Sequence, residues 1–118
     1  MESNILPYRF FFAFPDAMGI KSIPYFEILY FIASSNYATI HLKNGNTILL
    51  SKPLSWIEER LPAKIFLRIH QSYLINLNYL NEYNRLERMV KIVNGMQIPV
   101  SVRQTSVLRK ALLTPEFV

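Results

Sequence analysis

Apolar and polar residues alternate on both sides of an Asn-Gly pair. In residues 37–43 apolar side chains occupy every second position from Ala38 onwards, and the alternation resumes in residues 46–50. A period of two is typical of a strand with one buried face. Asn44-Gly45 between the two runs predicts a β-hairpin with a type I′ turn, which requires positive φ at both central residues.

The same pattern recurs later in the chain. Residues 89–93 and 96–100 are strand candidates on either side of Asn94-Gly95, and each hairpin pattern is followed by a serine and a helical period. Pro99 has no amide hydrogen, so its strand is predicted to lie at a sheet edge or to lack one ladder hydrogen bond there. Chance or convergent turn chemistry explains the repetition about as well as duplication does, and the repetition supports both hairpin predictions together.

Short apolar runs bounded by turn residues predict further strands. They comprise residues 8–14 (ended by Pro15-Asp16), 19–24, 25–29 continued by 30–33, and 79–83. Residues 34–36, Ser-Ser-Asn, form a polar loop after one of these strands. The chain is therefore predicted to be mainly β.

The first segment with a helical period is residues 51–61, where apolar side chains recur three to four positions apart. Its predicted cap is either Ser51 or Ser55, the latter with Glu58 as a capping box. Pro62 marks its end.

Residues 101–113 are the second predicted helix. Ser101 and Gln104 form a capping-box pattern. The predicted buried stripe consists of Val107, Leu108, Ala111 and Leu112. Residues 114–115, Thr-Pro, end the helix.

Residues 65–76, IFLRIHQSYLIN, place a polar group between two apolar flanks. We expect Arg68 to hold the backbone of a loop, and His70 to be half-buried with a hydrogen bond. Gln71 and Ser72 have two interpretations. They are ordinary turn residues, or they bind a nucleic acid, since Gln can pair with adenine and Ser can reach a phosphate.

The basic residues are concentrated in the second half of the chain. Residues 1–59 contain four basic and five acidic side chains, whereas residues 60–110 contain nine and two, within a net charge of +5. A basic face attracts phosphates and releases counterions, so a polyanion is one expected partner; a merely soluble basic surface is the other explanation. If Ser101 caps the helix, Arg103 lies in its first turn and could bind a phosphate or a guanine edge.

Motifs of catalysis and of metal or cofactor binding are absent from the sequence. There is no cysteine, and His41 and His70 are the only histidines, so neither a metal site nor a cofactor is expected. The glycine-rich and nucleophile-elbow motifs of enzymes are also missing, and we do not expect an enzyme. No apolar run reaches the ~18 residues of a membrane span, and no signal peptide is recognisable. We expect a cytoplasmic protein.

A series of motifs extends from about Ile20 to Leu112. They are Asn36-Tyr37-x-x-Ile40, Asn44-Gly45, Leu54 with Leu61, Phe66-x-Arg68-x-His70-x-Ser72-Tyr73-x-x-Asn76, Asn94-Gly95 and Ile98-Pro99-Val100-Ser101-x-Arg103. In this order and spacing they resemble the LytTR DNA-binding domain of bacterial transcription regulators, and the central Arg-x-His-x-Ser stretch is the most diagnostic of them.

The resemblance implies a mainly β fold: elongated, antiparallel β-sheets with two short flanking helices. It divides the chain into an N-terminal extension with a candidate strand (1–19), a LytTR-like DNA-binding domain (20–113) and a C-terminal tail (114–118). Most relatives follow a receiver domain with a phosphoacceptor aspartate, whereas Asp16 is the only aspartate here. We therefore expect either a free-standing regulator or a piece cut from a longer protein.

The resemblance also implies where DNA is bound. The DNA-contacting positions of the family match Asn36 with Tyr37, Gln71 with Ser72, and Arg103 after Ser101 in this chain. Many relatives have Arg or Asn where Gln71 stands, which leaves the base preference there open. Members usually bind direct repeats as dimers, so a direct-repeat site and a homodimer are expected.

The predicted function is sequence-specific binding of double-stranded DNA by a transcription regulator, through loops and a helix N-terminus in successive major grooves. One alternative is an RNA or single-strand binder that stacks bases on Tyr37 and Tyr73. Another is a protein-interaction module in which residues 8–14 add a strand to a partner's sheet.

Overall fold

A computed structural model of the chain describes residues 10–115. Its strands are β1 (Phe11–Asp16), β2 (Gly19–Pro24), β3 (Ile28–Ser34), β4 (Tyr37–Leu42), β5 (Thr47–Leu50), β6 (Phe66–His70), β7 (Tyr73–Asn76), β8 (Leu80–Asn84), β9 (Met89–Ile92) and β10 (Gln97–Pro99). Its α-helices are α1 (Leu54–Glu58) and α2 (Thr105–Leu113). Single 3-10 turns occupy Tyr25–Glu27, Leu77–Tyr79 and Val102–Gln104. Among these residues no helix is long and apolar enough to cross a bilayer.

The strands form three antiparallel sheets. The central sheet has the order β5-β4-β3-β7-β6. Strands β1 and β2 form a separate two-stranded ribbon, and the third sheet has the order β10-β9-β8. The described residues measure 48 × 36 × 25 Å. The predicted fold, mainly β and elongated with antiparallel sheets and two short helices, is confirmed.

The central sheet is covered along one face and, over β3, β7 and β6, on the other face as well. One face packs against the β1–β2 ribbon and α1, in a cluster that includes Phe12 and Phe31. The other face packs against the third sheet and α2 through Ile75 and Leu108. A β-bulge at Leu29 places two consecutive residues of β3, Leu29 and Tyr30, in this second cluster. This explains why the start of β3 is a continuous apolar run rather than an alternating one.

Both Asn-Gly hairpins are present, but the predicted type I′ turn is wrong. Only the glycines have positive φ, 91° at Gly45 and 92° at Gly95; the asparagines do not. The amide of Gly45 donates to the Leu42 carbonyl, and the Leu42 amide donates to the Asn46 carbonyl, both at 3.0 Å. The loop is therefore three residues long, a type I turn followed by a left-handed glycine.

The second hairpin repeats this geometry. The amide of Gly95 donates to the Ile92 carbonyl at 2.8 Å, and the Ile92 amide donates to the Met96 carbonyl at 2.9 Å. The Asn94 side chain accepts from the Met96 amide at 3.0 Å, and Asn44 accepts in the same way from the residue two positions on. The predicted position of Pro99 at a sheet edge is also confirmed, since β10 is an outer strand.

Both helices are shorter than predicted. Helix α1 begins at Leu54 because Pro53, in extended conformation with ψ 160°, takes the cap position. Neither Ser51 nor Ser55 caps it, since no side chain bonds to its first amides. It ends at Glu58, before Pro62.

Helix α2 begins at Thr105, after the 3-10 turn. The predicted capping box is wrong, because Ser101 makes no side-chain cap bond and the Gln104 side chain donates to the Arg68 carbonyl instead. The buried face consequently passes through Gln104, Leu108 and Ala111, at i, i+4 and i+7. Two members of the predicted stripe, Val107 and Leu112, are exposed.

Two strand predictions near the N-terminus also change. The strand predicted at residues 8–14 lies at Phe11–Asp16 and includes Pro15-Asp16; residues 8 and 9 are outside the described part of the chain. The strand predicted at residues 25–29 is a 3-10 turn up to Glu27. The Asn76 amide group donates to the Tyr25 carbonyl at 3.1 Å and to the Ile28 carbonyl at 2.9 Å. These bonds come from fifty residues away, so no local pattern could show them.

The turns between the strands lie at two opposite ends of the sheets. The Asn-Gly end contains both Asn-Gly turns and the 3-10 turns Tyr25–Glu27 and Leu77–Tyr79, linked by bonds such as that from the Lys43 amide to the Glu27 carbonyl. The opposite end is named the cleft end, because an open cleft lies between its turns. It contains residues 34–36, 71–72, 85–88 and 101–104.

Candidate nucleic-acid interface

Three of the turns at the cleft end are neighbours because backbone hydrogen bonds join them. The Ala33 amide donates to the Ser72 carbonyl at 2.8 Å, which places residues 34–36 beside residues 71–72. The Ser101 amide donates to the Ile69 carbonyl at 2.9 Å, which places residues 101–104 on the other side. Ile69 is itself an extra residue, a bulge in β6.

The turn at residues 71–72 is held by Arg68 and His70, as predicted. Arg68 donates from Nη2 to the Gln71 carbonyl at 2.5 Å and from Nε to the His70 carbonyl at 3.4 Å. His70 is half-buried, and its Nδ1 accepts from the Ser72 amide at 3.0 Å. The backbone of the turn is fixed, whereas the Gln71 side chain is exposed and makes no hydrogen bond within residues 10–115.

The turn that contains Arg103 is attached to the same strand. The Gln104 side chain donates to the Arg68 carbonyl. Arg68 therefore holds both turns: its side chain bonds to the turn at residues 71–72, and its backbone carbonyl bonds to the turn at residues 101–104. Arg103 itself is exposed and has no ion pair among the described residues. Because this is a 3-10 turn ahead of α2, the expected position of Arg103 within the first turn of the helix is wrong.

These turns enclose an open cleft of about 570 Å³. It is lined by Glu58, Arg68, His70, Gln71, Ser101, Arg103 and Gln104. The one carboxylate in this lining, Glu58, lies 3.4 Å from Nη1 of Arg68. Since Arg68 and Glu58 neutralise each other, Arg103 supplies the unopposed charge of the cleft.

The turn between β3 and β4 lies beside the cleft and does not line it. Asn36 is exposed, and so is Tyr37, with 48% of its surface accessible. Within the described range neither side chain makes a hydrogen bond. The preceding Ser35 has φ 58°, the left-handed conformation that turns β3 back into β4.

A protein-family model, described as the LytTr DNA-binding domain, matches residues 18–113. This match covers most of the chain. The chain belongs to the LytTr DNA-binding domain family.

Curated relatives of this LytTr domain are transcription regulators and are longer proteins. The heme-containing CO-sensing transcriptional regulator RcoM 1 of Paraburkholderia xenovorans (strain LB400) is 31% identical over 90 residues, 73% of this chain and 33% of that protein. The positive alginate biosynthesis regulatory protein of Pseudomonas aeruginosa PAO1 is 28% identical over 99 residues, 80% of this chain and 39% of that protein. The chain thus spans between a third and two fifths of their length.

A solved structure supports the fold. It is the LytTr DNA-binding domain of a methyl-accepting/DNA response regulator from Bacillus cereus, similar with a TM-score of 0.74 at 23% identity, and it aligns with 91% of this chain and 100% of that one. A LytTr domain is a DNA-binding domain rather than a catalytic one, which fits the expectation that the chain is not an enzyme.

In this LytTr domain the six predicted contact residues all lie at the cleft end. Gln71, Ser101 and Arg103 line the cleft, Ser72 is half-buried in the turn behind it, and Asn36 with Tyr37 lies on the neighbouring turn. Glu58 also lines the cleft and was not predicted to do so. A carboxylate on a separate helix has no sequence relationship to residues 68–71 that could have revealed it.

Proposed function

We propose that this LytTr domain binds double-stranded DNA sequence-specifically, as the DNA-binding part of a transcription regulator. The observation that supports this is the presence of exposed polar side chains on three adjacent turns: Asn36, Gln71 and Arg103. None of them has a hydrogen-bond partner within residues 10–115. Their donors and acceptors are available to base edges without the loss of an internal bond.

The backbone of each turn is fixed while its tip is free. Because the backbone of each turn is already ordered, only the side chains lose conformational freedom on binding, which favours the discrimination of base pairs. We infer that Arg103 forks onto a guanine edge and that Gln71 and Asn36 bind base edges in successive major grooves, with Tyr37, Ser72 and Ser101 beside them. A direct-repeat site bound by two copies of the domain completes the proposal.

The decisive experiment selects binding sites for the 118-residue protein from random duplex DNA and then measures affinity for the selected and a scrambled duplex. Arg103→Ala should cost ~1–3 kcal/mol on the selected duplex and relax the preference at one base pair. Arg109→Ala is the matched control, because Arg109 is an exposed arginine on α2 that does not line the cleft. Equal losses on selected and scrambled duplexes would reduce Arg103 to a phosphate contact.

The same duplex separates the competing functions. A single strand of the selected sequence should compete poorly; effective competition would favour a single-strand binder that uses exposed Tyr37. The proposal of a strand-donating module receives less support from the structure, since β1 buries Phe12 and Phe14 in the core of the domain.

A further inference from the structure

A fourth turn belongs to the cleft end but does not line the cleft. Residues 85–88 connect β8 to β9, and the Arg88 carbonyl accepts from the Val100 amide at 2.9 Å. The next residue, Ser101, donates to the Ile69 carbonyl beside residues 71–72. The four turns therefore form one row in the order 34–36, 71–72, 101–104 and 85–88.

This turn presents two arginines without internal partners. Arg85 and Arg88 are exposed, and neither has an ion pair or a side-chain hydrogen bond within the described residues. The turn does not depend on them, because Asn84 closes it by accepting from the Glu87 amide at 3.0 Å. By contrast, Arg60 and Arg68 are paired with carboxylates.

The backbone at Arg88 has a positive φ of 52°, the left-handed conformation that favours glycine or asparagine. Ser35, in the turn at residues 34–36, has a similar φ of 58°, so this conformation belongs to the geometry of the turns. It is unfavourable for arginine, and the guanidinium group of Arg88 makes no hydrogen bond or ion pair with the described residues.

We infer that residues 85–88 form a phosphate-contact site at the end of the row, in which Arg85 and Arg88 bind the DNA backbone next to the segment contacted through the cleft. This inference rests on the proposed function and adds to it two contacts that position the duplex and contribute affinity for any sequence. Glu87, which is exposed in the same turn, opposes them because its carboxylate repels phosphate.

The test compares two double variants of the full chain that remove the same charge from opposite ends. Arg85→Ala with Arg88→Ala removes two positive charges at the cleft end. Lys43→Ala with Lys64→Ala removes two at the Asn-Gly end, where both lysines are exposed. Affinity for the selected and scrambled duplexes is measured from low to moderate salt.

The arginine variant should bind both duplexes roughly tenfold more weakly per arginine, as expected for a charge-assisted hydrogen bond. Its plot of log affinity against log salt should be less steep by about two, one for each lost phosphate contact. Its ratio of selected to scrambled affinity should not change. The lysine variant should retain most of the affinity and the steeper salt dependence.

Two single variants distinguish the loss of a DNA contact from a loss of folding stability. Arg88→Gly removes the charge while relieving the strained φ, so it should bind DNA more weakly without any loss of thermal stability. Glu87→Gln should bind both duplexes more tightly. If the two double variants lose affinity and salt dependence equally, only net charge matters and the inference is overturned.

The outcome is distinguishable from a failure of the proposed function. A wild-type protein without preference for the selected duplex contradicts the proposed function, and with it the inference. A wild type with that preference, together with an arginine variant that binds like wild type, overturns the phosphate site alone.

Discussion

The two ends of the sheets use similar polar residues in opposite ways. At the Asn-Gly end, Asn76 is fully buried and donates both amide hydrogens to carbonyls of residues 25–28. Asn94 donates to the Tyr30 hydroxyl at 3.1 Å, and Tyr79 donates its hydroxyl to the Phe26 carbonyl. At the cleft end the corresponding side chains, those of Asn36, Gln71 and Arg103, bind nothing within residues 10–115.

The difference separates stability from recognition. A buried amide that donates to backbone carbonyls stabilises the fold, because its loss removes hydrogen bonds that water cannot replace inside the core. An exposed amide bonded only to water contributes little to the fold but can bind a ligand without breaking an internal bond. Substitutions of the bonded amides at the Asn-Gly end should therefore change unfolding, and those of the unbonded side chains at the cleft end should change DNA affinity.

The largest effect is expected at Asn76. Replacement by Ala leaves the carbonyls of Tyr25 and Ile28 and the amide of Asn78 without their bonds to the Asn76 side chain. Asn76→Ala should lower the free energy of unfolding by ~2–4 kcal/mol, measured by urea denaturation.

Asn36→Ala is the matched control, the same substitution at the other end. It should change the free energy of unfolding by less than ~0.5 kcal/mol, because Asn36 is exposed and unbonded within the described range. It should instead weaken binding to the selected duplex. A cost below about 1 kcal/mol for Asn76→Ala, or equal costs for both variants, would contradict the division between the two ends.

A smaller effect is expected where the backbone has positive φ. Gly95→Ala should cost about 1–2 kcal/mol of stability, since a left-handed conformation is unfavourable for alanine. No atom lies within 4 Å of the added Cβ, so the cost is that of the backbone alone. Gly45→Ala, in the same turn geometry, should give the same result.

At the cleft end, the substitution at a residue with positive φ should raise the free energy of unfolding rather than lower it. Arg88→Gly replaces a strained residue, so it should raise the free energy of unfolding by about 0.5 kcal/mol, the strain relieved less the entropy lost by glycine. Thermal or urea denaturation of the three variants measures both signs. Destabilisation by Arg88→Gly would show that the arginine side chain stabilises its own turn.

The sequence predicts what depends on neighbouring residues. Alternation and Asn-Gly pairs located both hairpins, and the role of Arg68 in holding the turn at residues 71–72 was predicted correctly. Two of the errors arose where a distant residue supplies the bond. Gln104 donates to the Arg68 carbonyl instead of forming its capping box, and the 3-10 turn after Pro24 accepts hydrogen bonds from Asn76.

The candidate site shows the same limit. Its three turns were predicted separately, from hydrogen-bonding side chains and from the family motif, but their adjacency depends on pairing between strands far apart in sequence. The bond from the Ser101 amide to the bulged Ile69 carbonyl is the clearest example. Neither the bulge nor its partner has a pattern that a sequence could show.

The smallest predicted effect is a pH dependence of the free energy of unfolding, which arises near the Asn-Gly end. His41 stacks on Tyr30 near the Asn-Gly end, with 4.7 Å between ring centroids, and burial lowers the pKa of His41 from its usual 6.5. The fold therefore favours the neutral imidazole, and this contribution to stability is present above about pH 6.5 and is lost as pH falls through the lower, folded-state pKa. The free energy of unfolding should decline between pH 7.5 and 5.5 in the wild type and decline less in His41→Gln. If both proteins decline equally, the pH dependence arises elsewhere, and the Asn-Gly end contributes to stability through its hydrogen bonds without a titrating group.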